Sequence, residues 1–278
     1  MTEQQVRTRA ELRHRRRMRS WAIAGVVALV LVVAGAGAVV FTSGSSGRGS
    51  ATEARPTATT AAKARPVAAP NVFADYGRVP FRAAATRGGD IQVYPAPDPN
   101  AAPTATLSQK TDYLLPRTLL AFDQWQDWLH VYLPTRPNDS TGWVKMSDVD
   151  VSNPLEWQIR VSLADHHLWL FHNGAIDFQT DVAIGTQQYP TPTGTFYITD
   201  PVDLHKTPNL GYGVFALGLS GHSDVLTEFG GGDGQIAIHG DNNPGDMGKD
   251  VSHGCVRVTN DAIERLSTLP LGTPVEIT

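Results

Sequence analysis

Gln235-Ile236-Ala237-Ile238-His239-Gly240 and Ser252-His253-Gly254-Cys255-Val256-Arg257, with fourteen residues between Gly240 and Cys255, are the two stretches on which the reading of this chain turns. The first reads as a strand that delivers His239 at its end. The second holds the single cysteine of the sequence. One cysteine excludes an intrachain disulfide and any multi-cysteine zinc or iron–sulfur site. A lone thiol is often a small buried hydrophobe, but imidazoles stand two and sixteen residues before this one. An imidazole that takes the thiol proton and stabilises the thiolate as an ion pair makes a competent nucleophile. Gly254 permits a tight turn in which successive N–H groups point at one oxygen. These parts suit attack on an amide or ester carbonyl. His130, His166, His167, His172 and His205 lack metal-ligand spacing, and Cys255, His239 and His253 make a meagre zinc set. Neither a metal nor a cofactor is expected.

Around these stretches, residues 154–278 read as a β-rich domain with one helix. Residues 159–163 and 167–171 alternate as strands about the turn Ala164-Asp165-His166, and Asn173-Gly174 marks the next turn. A strand is expected near 178–184, a rigid turn at Tyr189-Pro190-Thr191-Pro192-Thr193-Gly194 and a strand over 195–199. Thr259-Asn260-Asp261 offer N-caps for a helix over 262–269, whose apolar positions 262, 263, 266 and 269 share a face. Residues 274–277 close as a strand. Between Val202 and Gly234 the chain is long and Gly-rich, and it reads as a loop able to cover a cleft. It carries Tyr212, Phe215, His222 and Phe229.

Residues 71–153 read as a separate small β module. Short apolar runs at 91–94, 117–122, 128–133 and 142–145 are divided by Pro, Asn, Asp and Gly, the pattern of a small antiparallel barrel or sandwich. The ending Gly142-Trp143-Val144-Lys145 after a strand resembles bacterial SH3-like domains. Trp125, Trp128 and Trp143 either line a groove or pack a core.

Residues 21–41 form an uncharged run of 21 residues, long enough as a helix for a bilayer core. The preceding residues 1–20 carry seven Arg and two Glu, a net of +5, whereas residues 71–278 carry 12 Lys+Arg against 24 Asp+Glu, a net of −12. A basic tail beside an apolar run keeps the N-terminus cytoplasmic and exports the chain beyond the run. A cleaved signal peptide is the alternative, with Gly35-Ala36-Gly37-Ala38 as its site. Residues 42–70 have no aromatic and read as a disordered linker. The charged fraction of 18% and the acidic body argue against a nucleic-acid partner. Nothing in the sequence fixes an oligomeric state.

His239-Gly240 followed by Cys255 in Ser-His-Gly-Cys-Val-Arg resembles the signature of the L,D-transpeptidase family, the YkuD-like catalytic domain, and the turn at 189–194 after Ile184-Gly185 resembles that family's early turn. The resemblance covers about residues 157–278. It implies a mostly β, β-sandwich-like fold, an exported enzyme that is often membrane-anchored, and peptidoglycan stem peptides as donor and acceptor. Position by position it implies Cys255 as nucleophile and His239 as general base and acid. It implies the Gly240 carbonyl as the group that orients the imidazole, and the Gly254 and Cys255 N–H groups as oxyanion donors. Ser252, His253, Arg257 and Tyr212 become residues that shape the substrate site. Ser252 is expected to fix the turn. His253 either bonds structurally or touches the acyl group, and Arg257 either pairs with a substrate carboxylate or makes a structural ion pair. Asp241 stands where the family carries a neutral residue, and its carboxylate is expected to point to solvent, away from the thiol. An L,D-carboxypeptidase, which lets water resolve the same acyl-enzyme, and a non-catalytic wall-binding scaffold are the rival readings.

Overall fold

The structure is a computed structural model that describes residues 81–207 and 211–278. The basic tail, the apolar run 21–41, the linker 42–70 and the first ten residues of the expected β module lie outside the described residues. Among the described residues no helix is long and apolar enough to cross a membrane.

Residues 81–154 supply β1 (Arg82–Thr86), β2 (Ile91–Val93), β3 (Ala105–Leu107), β4 (Thr118–Trp125), β5 (Trp128–Tyr132), β6 (Thr141–Lys145) and β7 (Val149–Pro154). Five of them form a sheet in the order β6-β5-β4-β1-β7, and β2 and β3 form a separate ribbon. The sheet is antiparallel throughout. β1, β3 and β7 do not stand out in the sequence, because their apolar residues are small or few. Of the three tryptophans, Trp128 is buried, Trp143 stacks on His130 at 4.5 Å and Trp125 is exposed.

The remaining strands are β8 (Trp157–Ser162), β9 (His167–His172), β10 (Ala175–Asp181), β11 (Ile184–Gly185), β12 (Gly194–Asp203), β13 (Phe215–His222), β14 (Gln235–Asp241), β15 (Asp250–Ser252), β16 (Val256–Thr259) and β17 (Pro274–Ile277). They are joined by one helix, α1 (Asn260–Leu266). Thr259 caps α1, its hydroxyl accepting the Ala262 N–H, as the capping residues predict. Eight strands make one sheet in the order β10-β9-β8-β17-β12-β13-β14-β16. Residues from both ends of that order, Ile159, Leu168 and Leu170 with Leu217, Ile238 and Val256, share one buried cluster. The sheet therefore curls about a single core, which α1 closes with Ala262, Ile263 and Leu266. The described residues are mostly β with one short α-helix.

The segment 202–234 is not one long covering loop. It contains β13, whose residues beyond Phe215 are buried between β12 and β14. Phe215-Ala216-Leu217-Gly218-Leu219 alternates, but its site-facing positions are Ala and Gly, so the run looks like loop composition.

Candidate active site

Strand alternation sorts the residues of β13, β14 and β16 into two faces. Leu217, Leu219, Ile236, Ile238, Val256 and Val258 point into the core. The opposite face carries the chemistry. β14 and β16 run parallel with His239 paired to Arg257 and Ile238 to Val256, so two residues back from the His239–Arg257 pair Ala237 stands beside Cys255. His239 on β14 and Cys255, directly before β16, are thus diagonal neighbours on one face of the sheet. Across β13 the row continues, Ala216 opposite His239 and Gly218 opposite Ala237. These small side chains leave room above the sheet.

His239 is buried, and its Nδ1 lies 2.7 Å from the Gly240 carbonyl. A carbonyl only accepts, so Nδ1 carries the proton and Nε2 holds the free lone pair. Burial, chiefly, holds the His239 pKa down to about 4, and Arg257 adds to the effect. Cys255 is half-buried. Burial pushes its thiol up, while the Ala237 N–H and the Arg257 charge pull the other way. Neither shift favours a preformed thiolate–imidazolium pair. Both shifts favour a neutral thiol beside a neutral imidazole, because each charged form loses solvation in this site.

Ser252 ties the turn as expected: its hydroxyl donates to the Cys255 carbonyl (2.6 Å) and accepts the Gly254 N–H (3.0 Å). This corrects the role expected of Gly254. Its N–H is taken up by Ser252 and does not serve as an oxyanion donor in this arrangement. The need for glycine is conformational, with φ at +119°, where L side chains are strained.

Arg257 makes the structural ion pair, Nη1 lying 3.2 Å from Asp241 Oδ2 and 3.9 Å from Asp246 Oδ2. Asp241 is 8% exposed and faces Arg257, which overturns the expectation that its carboxylate points to solvent. The guanidinium compensates the acid that the sequence places next to His239-Gly240. Arg257 Nε is buried and finds no hydrogen-bond partner among the described residues.

Tyr212 meets His239 edge-on, ring centres 4.8 Å apart. A close backbone approach sets it there. A Cβ on Gly213 (φ +64°) would stand 2.5 Å from the Gly240 carbonyl carbon and 2.2 Å from Asn260 Oδ1. Asn260 also accepts the Val214 N–H (3.1 Å) and donates to Asn242 (3.0 Å). Sequence reasoning finds Asn260 only as a helix cap; its second task has no local signal. His253 is exposed and sandwiched between Tyr189 (5.0 Å) and Phe229 (5.4 Å). Among the described residues no group of three or more His, Cys, Asp or Glu is arranged to hold a metal.

The family profile of the L,D-transpeptidase catalytic domain, YkuD, matches residues 156–277. A Bacillus subtilis protein bearing the name L,D-transpeptidase YkuD is 35% identical over 124 residues, which cover 44% of this chain and 66% of that protein. One of the same name from Bacillus licheniformis is 34% identical over 133 residues, covering 46% and 70%. A solved L,D-transpeptidase from Mycobacterium smegmatis aligns at 14% identity over 58% of this chain and 90% of its own, with a TM-score of 0.37, too low to bear on the fold.

Proposed function

Because this chain belongs to the L,D-transpeptidase family, we propose that it is an extracytoplasmic cysteine acyltransferase that cross-links peptidoglycan stem peptides. The observation that carries the reading is the pairing of His239 with Arg257, which sets the imidazole and the thiol on one sheet face, together with the Nδ1 bond that leaves Nε2 free. In the first step Cys255 Sγ attacks the amide carbon before the terminal D-residue of a tetrapeptide stem. The thiol proton passes to His239 Nε2 as the S–C bond forms. The C–N bond then breaks, and His239 returns that proton to the departing D-alanine amine. In the second step the side-chain amine of a diamino acid on a neighbouring stem attacks the thioester. His239 takes the amine's proton, the cross-linking amide forms, and the thiol is restored.

A base held near pH 4 is unprotonated under ordinary conditions and ready to accept. The Cys255 N–H is the oxyanion donor in this reading, since Ser252 occupies the Gly254 N–H. Ser252 fixes the turn, and Tyr212 and His253 border the substrate on either side of the thiol. Arg257 screens Asp241 from the thiolate as it forms. The apolar run 21–41 serves as a single-pass anchor with the N-terminus inside, and residues 42–70 let the body reach the wall. The module at 71–153 is SH3-like in this account.

Product analysis tests the reading. Purified protein given a tetrapeptide donor and a diamino acid acceptor is expected to release D-alanine and yield peptide dimers. Tripeptide without dimer makes the enzyme a carboxypeptidase, and unchanged peptides exclude both.

A further inference from the structure

The loop between β5 and β6, residues 133–140, reaches from the N-terminal sheet to the other sheet and grips it by the backbone. Arg136 Nη1 donates to the Ser223 carbonyl, while Nη2 donates to the carbonyls of Leu226 (3.0 Å) and Asp233 (2.6 Å). Asn138 pairs with His222 in both directions, its Nδ2 donating to the His222 carbonyl (2.8 Å) and its Oδ1 accepting the His222 N–H (2.9 Å). The same Nδ2 reaches Asp224 Oδ1 at 3.1 Å. A planar guanidinium with several fixed donors suits three converging carbonyls; a single ammonium does not.

The gripped segment, 223–234, joins β13 to β14. Its own ties are short-range: the Ser223 N–H to the Gly234 carbonyl (2.8 Å), Phe229 and Gly232 bonded to each other at 3.0 Å, and the Leu226 N–H to Ser223 Oγ (3.1 Å). Val225 and Phe229 lie exposed along it. From this segment Phe229 stacks on His253, two residues before Cys255. An unbroken series of contacts thus runs from Arg136 through the segment and Phe229 to the edge of the thiol site.

We propose that Arg136 and Asn138 are positioning residues of the active site: the loop of the N-terminal sheet fixes the 223–234 segment as one wall of the stem-peptide cleft. The inference rests on the proposed acyl transfer at Cys255. Without Arg136, three carbonyls turn to water and the segment regains conformational freedom. The thiol and imidazole, held by β14 and β16, stay as they are. The loss falls on alignment of a large substrate, for which small misplacements cost about one to two powers of ten in rate.

The test compares full-length wild type with Arg136→Ala in three measurements: Cys255 acylation by a tetrapeptide donor, Cys255 alkylation by iodoacetamide, and amide hydrogen exchange. Acylation at low donor concentration is expected to fall about tenfold or more, alkylation to stay within about twofold, and exchange to quicken in 223–234 alone. Arg136→Lys, which keeps the charge and folds if Arg136→Ala does not, is expected to lie between. Equal acylation in both proteins overturns the proposal, as does an equal fall in acylation and alkylation, which would place the effect on the thiol itself. A wild type that takes up no acyl group contradicts the proposed function instead. The exchange comparison then decides whether Arg136 fixes the segment, equal rates overturning it.

Discussion

The Cys255 thiol and the His239 imidazole each sit where burial opposes charge, so both shifts favour the neutral forms. That state has a signature in alkylation. Iodoacetamide reacts with thiolate, so its rate on Cys255 is expected to climb about tenfold per pH unit through neutrality, with a midpoint above the ordinary ~8.5 of a cysteine. A preformed ion pair would instead give a plateau from about pH 5 to 8. The same burial shapes stability. The folded His239 titrates near pH 4 against an ordinary value of 6.5, so the unfolded chain binds more protons between those values. Stability is complete above the unfolded value and declines as pH falls towards 4, by roughly 3 kcal/mol over the window. Denaturant unfolding of wild type against His239→Gln at pH 7 and 4 is expected to show that difference only in the wild type.

At this scale the sequence is most legible. Cys255, His239 and the Gly240 carbonyl can be named because the two motifs hold them within sixteen residues. The Gly254 amide and the Asp241 carboxylate are misread from sequence because hydrogen-bond partners are a matter of three-dimensional proximity. A sequence pattern does not say that Ser252 takes the Gly254 N–H, nor that Asp241 turns to Arg257.

Among the elements, β13 is hidden in the sequence as β1, β3 and β7 are, and of these four it is the one that pairs with the strand carrying His239. Its core side, Leu217 and Leu219, is apolar, but its site side is Ala216 and Gly218. Small residues there lie beside His239 and Ala237 on the face that carries the imidazole and the thiol, and the same smallness removes the alternation that identifies a strand. The strands flanking the turn at 164–166, by contrast, carry large residues on their inward faces and are readable. The approach to β13 has its own requirement. Gly213 abuts Gly240 so closely that an added methyl overlaps the Gly240 backbone and Asn260. Gly213→Ala is expected to lower stability by about 1–3 kcal/mol through overpacking and a left-handed φ. It is also expected to reduce turnover by moving Tyr212 off His239. Thermal unfolding with steady-state kinetics on the purified variant checks both.

Among the described residues, the two large sheets are joined through side chains that reach from one to the other. Tyr197, on β12, is fully buried in the core of the N-terminal sheet, and its hydroxyl donates to the Tyr132 carbonyl at 3.3 Å. Asp139 of the 133–140 loop accepts the Thr195 N–H at 2.9 Å. Composition separates residues 71–153 from 154–278 as two β-rich stretches, but it gives no hint that a tyrosine of one completes the core of the other. Tyr197→Ala is expected to cost about 3–5 kcal/mol, the range for truncating a buried aromatic. Calorimetry is expected to show one transition for the two sheets, lowered as a unit. Two separate transitions, only one of them shifted, would mean that the shared core does not couple them.

The most direct test of the central claim is intact-mass measurement of Cys255 after mixing with a tetrapeptide donor at neutral pH. Wild type is expected to gain the donor's mass less D-alanine on Cys255, and His239→Ala to gain nothing over the same time. An adduct on another residue, or equal acylation of the wild type and His239→Ala, would contradict the assignment of His239 as the base that activates the thiol.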